Sequence, residues 1–152
     1  MATAALENLA STSQAGSVAK LLGMKNASEV DDVALADRVA GGLGASATDG
    51  LINVLGKGTV IGRIVPEATF RRHKANRKAL SREMSERLYE VSRVVVVAER
   101  LYGGDSDAAR GFLTRPHPLL GGRLPIDLAT ASSAGADAVV NLLRRADAGV
   151  AV

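Results

Sequence analysis

The chain has 152 residues, of which 47% are hydrophobic and 23% charged, so it can bury a hydrophobic core as one domain or two small ones. Its formal net charge of +3 is too small to indicate a polyanion-binding protein as a whole, and its lack of cysteine excludes disulfides and thiolate-bound metals. Because no apolar run approaches roughly 18 residues and no secretory signal pattern is present, we expect a cytoplasmic protein with no membrane contact.

The apolar residues are mostly aliphatic and recur at helical spacing, which predicts an all-α fold. Only two tyrosines and two phenylalanines occur, and there is no tryptophan. Residues 1–30 are small and polar-rich, with a modest helical pattern around residues 15–22. We interpret residues 1–30 as a flexible N-terminal arm, residues 31–104 as a first helical unit, and residues 105–152 as a second.

The first unit is predicted to contain several short helices. Asp31 and Asp32 favour a helix start, and the glycines at residues 41–44 favour its end. Ser46 or Thr48 is expected to cap the next helix, which stops at Gly56. Two short helices over residues 59–64 and 67–75 are then expected, the second opened by Pro66.

The clearest predicted element is a long helix over residues 81–102. Apolar residues recur there at alternating steps of four and three: Met84, Leu88, Val91, Val95, Ala98 and Tyr102. The valine run 94–97 alone resembles a buried strand, but more than twenty residues without Gly or Pro are too long for a strand. We therefore expect a central helix that ends at Gly103.

The last third combines a stiff turn with a capped helix. Asp105 is expected to cap a short helix, and a loop over residues 115–123 follows, stiffened by prolines and able to turn sharply at Gly121 and Gly122. Pro125 opens another short helix. Ser132 or Ser133 then caps a final amphipathic helix that stops at Gly149.

A basic cluster occupies residues 69–78, TFRRHKANRK, with no carboxylate between Glu67 and Glu83. It lies on and after a short helix that follows another short helix closely, which is the layout of a helix-turn-helix. The predicted base-reading residues are Thr69, Arg71 and Arg72. The predicted phosphate contacts are Lys74, Arg77 and Lys78. The alternative is a solvated basic helix face, which most charge runs are.

Signals for catalysis are weak, and we expect neither an enzyme nor a cofactor or metal site. Gly56, Gly58 and Gly62 suggest a dinucleotide fingerprint, but its third glycine would have to stand at position 61, which is isoleucine. The two histidines, His73 and His117, have no second ligand at metal-site spacing. The glycines are more consistent with helix ends.

Two blocks of the sequence together resemble the Xre/MbcA/ParS family of bacterial antitoxins. Residues 65–103, VPEATFRRHKANRKALSREMSERLYEVSRVVVVAERLYG, are similar to the family's helix-turn-helix and long central helix. Residues 112–150 are similar to its toxin-binding domain, at positions Pro118, Leu120, Gly121, Gly122, Pro125, Leu128, Val140, Leu143, Arg145 and Gly149. The chain departs from many relatives in having Phe112 instead of tryptophan, and alanine at positions 146 and 148.

This resemblance implies an antitoxin that neutralises a RES-domain, NAD-consuming toxin by covering its active site. It also implies a homodimer within a larger toxin–antitoxin complex and binding to operator double-stranded DNA through the helix-turn-helix. The residues implied to bind the toxin are Leu120, Gly121, Gly122, Pro125, Leu143, Arg145, Gly149 and Val150. A stand-alone helix-turn-helix regulator with a C-terminal dimerisation domain is the competing hypothesis.

Overall fold

The computed structural model describes residues 13–149, and these residues form nine α-helices and no β-strand. The all-α prediction is confirmed. The helices are α1 Gln14–Leu21, α2 Asp32–Ala40, α3 Asp49–Leu55, α4 Lys57–Val60, α5 Glu67–Asn76, α6 Arg82–Leu101, α7 Ser106–Leu113, α8 Pro125–Ala131 and α9 Ser133–Asp147. Short 3₁₀ turns occur at Ala27–Glu29, Ala45–Thr48 and Pro118–Leu120.

The longer helices begin where a short polar side chain accepts a backbone N–H of the first turn, which satisfies a group that the helix itself leaves unpaired. The Ser81 hydroxyl accepts from Met84 N–H at 3.1 Å, the Asp105 carboxylate from Ala108 N–H at 3.1 Å, and the Ser132 hydroxyl from Gly135 N–H at 2.9 Å. The caps predicted at Asp105 and Ser132 are therefore confirmed.

Helix α6 is the centre of the molecule, as its apolar pattern predicts. Leu88, Val91, Val94 and Val95 are fully buried along it. Helices α1, α2, α7, α8 and α9 all pack against it. Because α6 is covered by other helices on several sides, consecutive positions along it are apolar. This explains the valine run 94–97, which resembles a strand in isolation.

The N-terminal part of the chain differs from the predicted flexible arm. Residues 14–21 form helix α1, whose Ala15, Val18 and Ala19 are buried in the same core as α6. Small side chains three and four residues apart let α1 approach α6 closely, so the arm prediction is wrong for residues 13–30. Residues 1–12 lie outside the described part of the chain.

Two local predictions between residues 46 and 64 are also wrong. Neither Ser46 nor Thr48 caps α3, because Ala45–Thr48 forms a 3₁₀ turn in which the Thr48 hydroxyl donates to the Ala45 carbonyl at 2.8 Å. The helix expected over residues 59–64 is instead Lys57–Val60. It ends early because the chain turns at Gly62, where φ is 105° and the N–H donates to the Val65 carbonyl at 2.7 Å.

One continuous hydrophobic cluster runs from Ala15 to Leu143. Both predicted units contribute to it, and α6, which belongs to the first unit, also packs against the helices of the second. Across residues 13–149 no helix is both long and apolar enough to cross a membrane.

Candidate functional site

Helix α5 and the two residues after it carry the basic cluster on the outside of the molecule, and none of these residues is buried. Its attachment is through the half-buried Phe70, which packs on the edge of the core. Thr69 is half-buried. The other residues predicted to contact DNA are all exposed: Arg71, Arg72, Lys74, Arg77 and Lys78.

The charge on α5 is only partly neutralised. Arg71 pairs with Glu67 one turn earlier, a pairing that the sequence analysis missed, and the Lys74 ammonium lies 5.4 Å from the centre of the Phe70 ring. Within the described chain, Arg72 and Arg77 have no carboxylate within ion-pair distance. The surface of α5 therefore offers free cations that can meet phosphate oxygens.

Hydrogen bonds on both sides of α5 hold it in place. Before it, the Arg87 guanidinium donates to the Ile64 carbonyl at 3.1 Å. After it, Leu80 N–H donates to the Leu43 carbonyl at 2.7 Å, and Leu43 N–H donates to the buried Ser85 hydroxyl at 2.8 Å. The basic helix is thus fixed at its ends to the central helix, and its outer face stays free.

The loop between α7 and α8 is closed by backbone hydrogen bonds. His117 N–H donates to the Arg123 carbonyl at 3.2 Å, and Gly122 N–H donates back to the His117 carbonyl at 3.0 Å. Gly121 and Gly122 have φ values of 66° and 74°, which glycine adopts without strain. Both are exposed, and Leu120 is half-buried behind them.

Helices α8 and α9 form a tight hairpin in which a glycine is essential. A Cβ atom added at Gly135 would lie only 2.0 Å from the Leu128 carbonyl oxygen. Pro125 and Leu143 are buried in this hairpin. They have no surface left for a partner, so we revise their predicted role from toxin contact to support of the hairpin.

The end of α9 is open to solvent. Arg145 and Gly149 are exposed, and Gly149 has a φ of 79° just past the helix. Val150, the last residue predicted to bind the toxin, lies outside the described residues. Of the predicted set, the structure therefore brings two groups to the surface: the Gly121–Gly122 turn and the end of α9.

An ionic network joins α9 to the central helix, and sequence reasoning missed it. The Arg93 guanidinium donates to the Glu90 carboxylate at 2.6 Å and to the Asp137 carboxylate at 2.7 Å, and the Ser133 hydroxyl donates to Glu90 at 3.0 Å. Burial alone would lower the pKa of Arg93, but its hydrogen bonds to Glu90 and Asp137 raise that pKa overall. Arg93 therefore stays charged and locks the start of α9.

The glycines that suggested a dinucleotide site have local roles. Gly56 ends α3 with a φ of 89°, and Gly62 makes the turn after α4. No strand precedes them in residues 13–149, as a dinucleotide-binding unit requires. No group of three or more His, Asp or Glu side chains in that part of the chain is arranged to hold a metal ion.

Residues 97–149 match the family model described as the antitoxin Xre/MbcA/ParS C-terminal toxin-binding domain. This part of the chain, about a third of its length, is similar to that antitoxin domain. The domain begins inside α6 and includes α7, the Gly121–Gly122 turn, α8 and α9. No curated protein matches the chain at a significant level.

The matched segment contains every described residue that we predicted to bind a toxin. The DNA-binding set at residues 69–78 lies before it, so the match supports a toxin partner and leaves DNA binding a prediction. The description of the matched domain is that of a binding and regulatory module.

Proposed function

We propose that this protein is the antitoxin of a type II toxin–antitoxin pair, and that it neutralises a RES-domain, NAD-consuming toxin by covering the toxin's active site. The observation that carries the proposal is the match of residues 97–149 to an antitoxin toxin-binding domain. We also propose that it acts as a homodimer within the toxin–antitoxin complex, with residues 31–104 for DNA binding and residues 105–152 for toxin binding.

The end of α9 is the part of the domain that we assign to the toxin pocket. It is a helix end with an exposed arginine and a glycine beyond it. An arginine there can form bidentate hydrogen bonds with carboxylates or phosphates. Arg145 and Gly149 are the described residues that support this assignment, whereas Leu143 is buried behind them.

The first experiment is co-expression with a RES-type toxin encoded beside this gene, with cell growth and cellular NAD as readouts. Wild-type antitoxin is expected to restore both. Arg145→Glu is expected to weaken neutralisation, because it reverses the charge at the proposed pocket mouth. Arg144→Glu is the matched control, since Arg144 is also exposed and lies one residue earlier on the helix. Full toxicity with wild-type antitoxin present contradicts the proposed function.

Autoregulation is the second half of the proposal, and the exposed, partly unpaired cations of α5 support it. Replacing Arg72 with alanine is expected to weaken binding to DNA from upstream of the gene pair by about 1–3 kcal/mol if Arg72 reads a base. Replacing Arg77 with alanine is expected to weaken binding to all DNA sequences alike. It is also expected to reduce the number of counterions released on binding, which the salt dependence of the affinity measures, by about one. Gel shifts at several salt concentrations separate the two effects.

The control for the DNA experiment is Arg38→Ala, because Arg38 is an exposed arginine on α2 that does not belong to the cluster. If Arg72→Ala and Arg77→Ala bind DNA like wild type, α5 is only a solvated basic face. If DNA is bound but no toxin is neutralised, the stand-alone regulator is the better explanation.

A further inference from the structure

Three aromatic rings stand in a row on the surface of the toxin-binding domain. The Tyr102 and Phe112 ring centres are 6.4 Å apart, and the Phe112 and His117 ring centres are 5.8 Å apart in an edge-to-face arrangement. They line a cleft of about 460 Å³ between the end of α6, helix α7 and the following loop. These rings include two of the chain's four Tyr and Phe residues.

The cleft is bordered by apolar side chains that the fold leaves in water. Among the described residues the large exposed hydrophobics are Val33 at 70%, Leu119 at 54% and Tyr102 at 37%. Tyr102 lines the cleft, and Leu119 lies next to it because its N–H donates to the His117 ring at 3.1 Å. A purely structural aromatic group would be expected to bury these side chains.

The floor of the cleft is open enough to admit a side chain from another molecule. Gly111 and Ala108 line it on α7. A Cβ atom added at Gly111 would meet nothing within 4 Å, so no side chain of the described protein fills the space above that residue. Packing of a guest group against the rings would bury apolar surface on both partners.

The rim of the cleft is basic. Asp107 is engaged by Arg110 at 3.2 Å, whereas Arg115 is exposed and makes no ion pair within residues 13–149. An exposed arginine beside aromatic rings is the combination that protein interfaces favour at their centres. Its charge favours a carboxylate on the partner.

We propose that the Tyr102–Phe112–His117 cleft is a docking site for the toxin, which packs an apolar side chain against the rings and places a carboxylate against Arg115. The proposal rests on the proposed function, and the partner is chosen because every residue of the cleft lies within the matched toxin-binding domain. The cleft would set the affinity of the complex, while the end of α9 would block the active site.

The test measures binding of purified toxin to antitoxin variants by titration calorimetry. Gly111→Leu fills the cleft and also favours the helix, so loss of folding does not mask its effect. Gly111→Leu and Arg115→Glu are each expected to raise Kd by about tenfold or more. At saturating antitoxin, these variants are still expected to inhibit the toxin fully, because the end of α9 is intact.

Val33→Ala is the matched control, because it trims a still more exposed hydrophobic residue outside the domain, and its Kd is expected to stay within about twofold of wild type. Wild-type affinity in both cleft variants overturns the docking site and leaves the proposed function standing. An equal loss of toxin affinity in Val33→Ala also overturns the docking site, because the effect of the cleft substitutions is then not specific to the cleft. Failure of wild-type antitoxin to bind the toxin overturns both proposals.

Discussion

At the scale of single residues, Gly135 shows how closely α9 packs on α8. The Leu128 carbonyl oxygen occupies the position where a side chain at residue 135 would begin. We expect Gly135→Ala to destabilise the protein by about 1–3 kcal/mol, because the hairpin must open to admit one methyl group. Urea denaturation followed by circular dichroism measures this change.

The control for that substitution is Gly58→Ala. Gly58 lies in α4, and a Cβ atom there meets nothing within 4 Å. Its replacement is expected to be neutral or stabilising by up to about 1 kcal/mol, since alanine favours a helix more than glycine does. Equal destabilisation by both substitutions would show that contact with Leu128 is not the cause.

Tyr89 provides a test at alkaline pH. Burial is the main cause that raises the pKa of Tyr89, and the Glu90, Asp32 and Asp137 carboxylates raise it further against the opposing effect of Arg93. The protonated Tyr89 hydroxyl therefore contributes stability to the folded protein. This contribution is complete below the pKa of tyrosine in the unfolded chain, about 10, and is lost as the pH rises through the higher pKa of Tyr89 in the folded chain.

Thermal unfolding between pH 8 and pH 11 is therefore expected to show a steeper loss of stability above about pH 10 for wild type than for Tyr89→Phe. The phenylalanine variant cannot ionise, so only the remaining groups titrate in it. Parallel curves for the two proteins would mean that the Tyr89 hydroxyl is as well solvated in the folded chain as in the unfolded one.

At the scale of helices, the Arg93 network links α6 to the start of α9. Arg93 and Glu90 are each 15% exposed, whereas the ion pair between Arg82 and Glu86 on the same helix is 71% and 53% exposed. Double-mutant cycles are expected to give about 0.3–0.5 kcal/mol for the exposed pair and a larger coupling for Arg93 and Glu90.

The measurement is the free energy of unfolding of each single and double variant in urea, with alanine at the paired positions. The Arg82–Glu86 cycle is the internal reference, because both pairs lie on α6. Similar coupling in the two cycles would mean that water reaches the Arg93 network as freely as it reaches the surface of the helix.

Local signals in the sequence predict much of this architecture at the element scale. Asp105 and Ser132 cap helices as expected, and the length of the apolar pattern predicts α6 as a helix despite its valine run. The early end of α4 was not predictable, because it depends on a hydrogen bond across the turn from Gly62 to Val65.

The candidate sites were predictable only in part, because some of their contacts join residues that are far apart in the sequence. The exposure of the basic residues on α5 follows from their charge alone. The burial of Pro125 and Leu143 depends on how the hairpin packs, and the partner of Arg93, Asp137, is 44 residues away in the sequence. Contacts between residues so far apart in the sequence do not affect the local pattern of apolar residues from which helices are predicted.

At the scale of the whole molecule, the shared core predicts that the chain unfolds as one unit. Buried residues from Ala15 to Leu143 belong to a single hydrophobic cluster, and α7, α8 and α9 all pack against α6. A fragment of residues 105–152 is expected to show little helix by circular dichroism, because its helices of 8, 7 and 15 residues are too short to persist alone.

A second fragment, residues 82–152, is the matched comparison, since it restores α6. We expect it to be more helical per residue than the shorter fragment, and the full chain to unfold in one cooperative transition. Cooperative unfolding of the 105–152 fragment on its own would contradict a shared core and would support an independent C-terminal domain.

The way α5 is attached to the rest of the protein affects how its sequence can evolve. Ten consecutive residues contribute no buried side chain, and the helix is held by bonds at its ends and by Phe70. Most positions of α5 can therefore mutate without cost to folding. Under the proposed DNA-binding function, recognition of a new operator could evolve on α5 while the toxin-binding part stays constant. A library randomised over α5 would then select for DNA sequence preference alone.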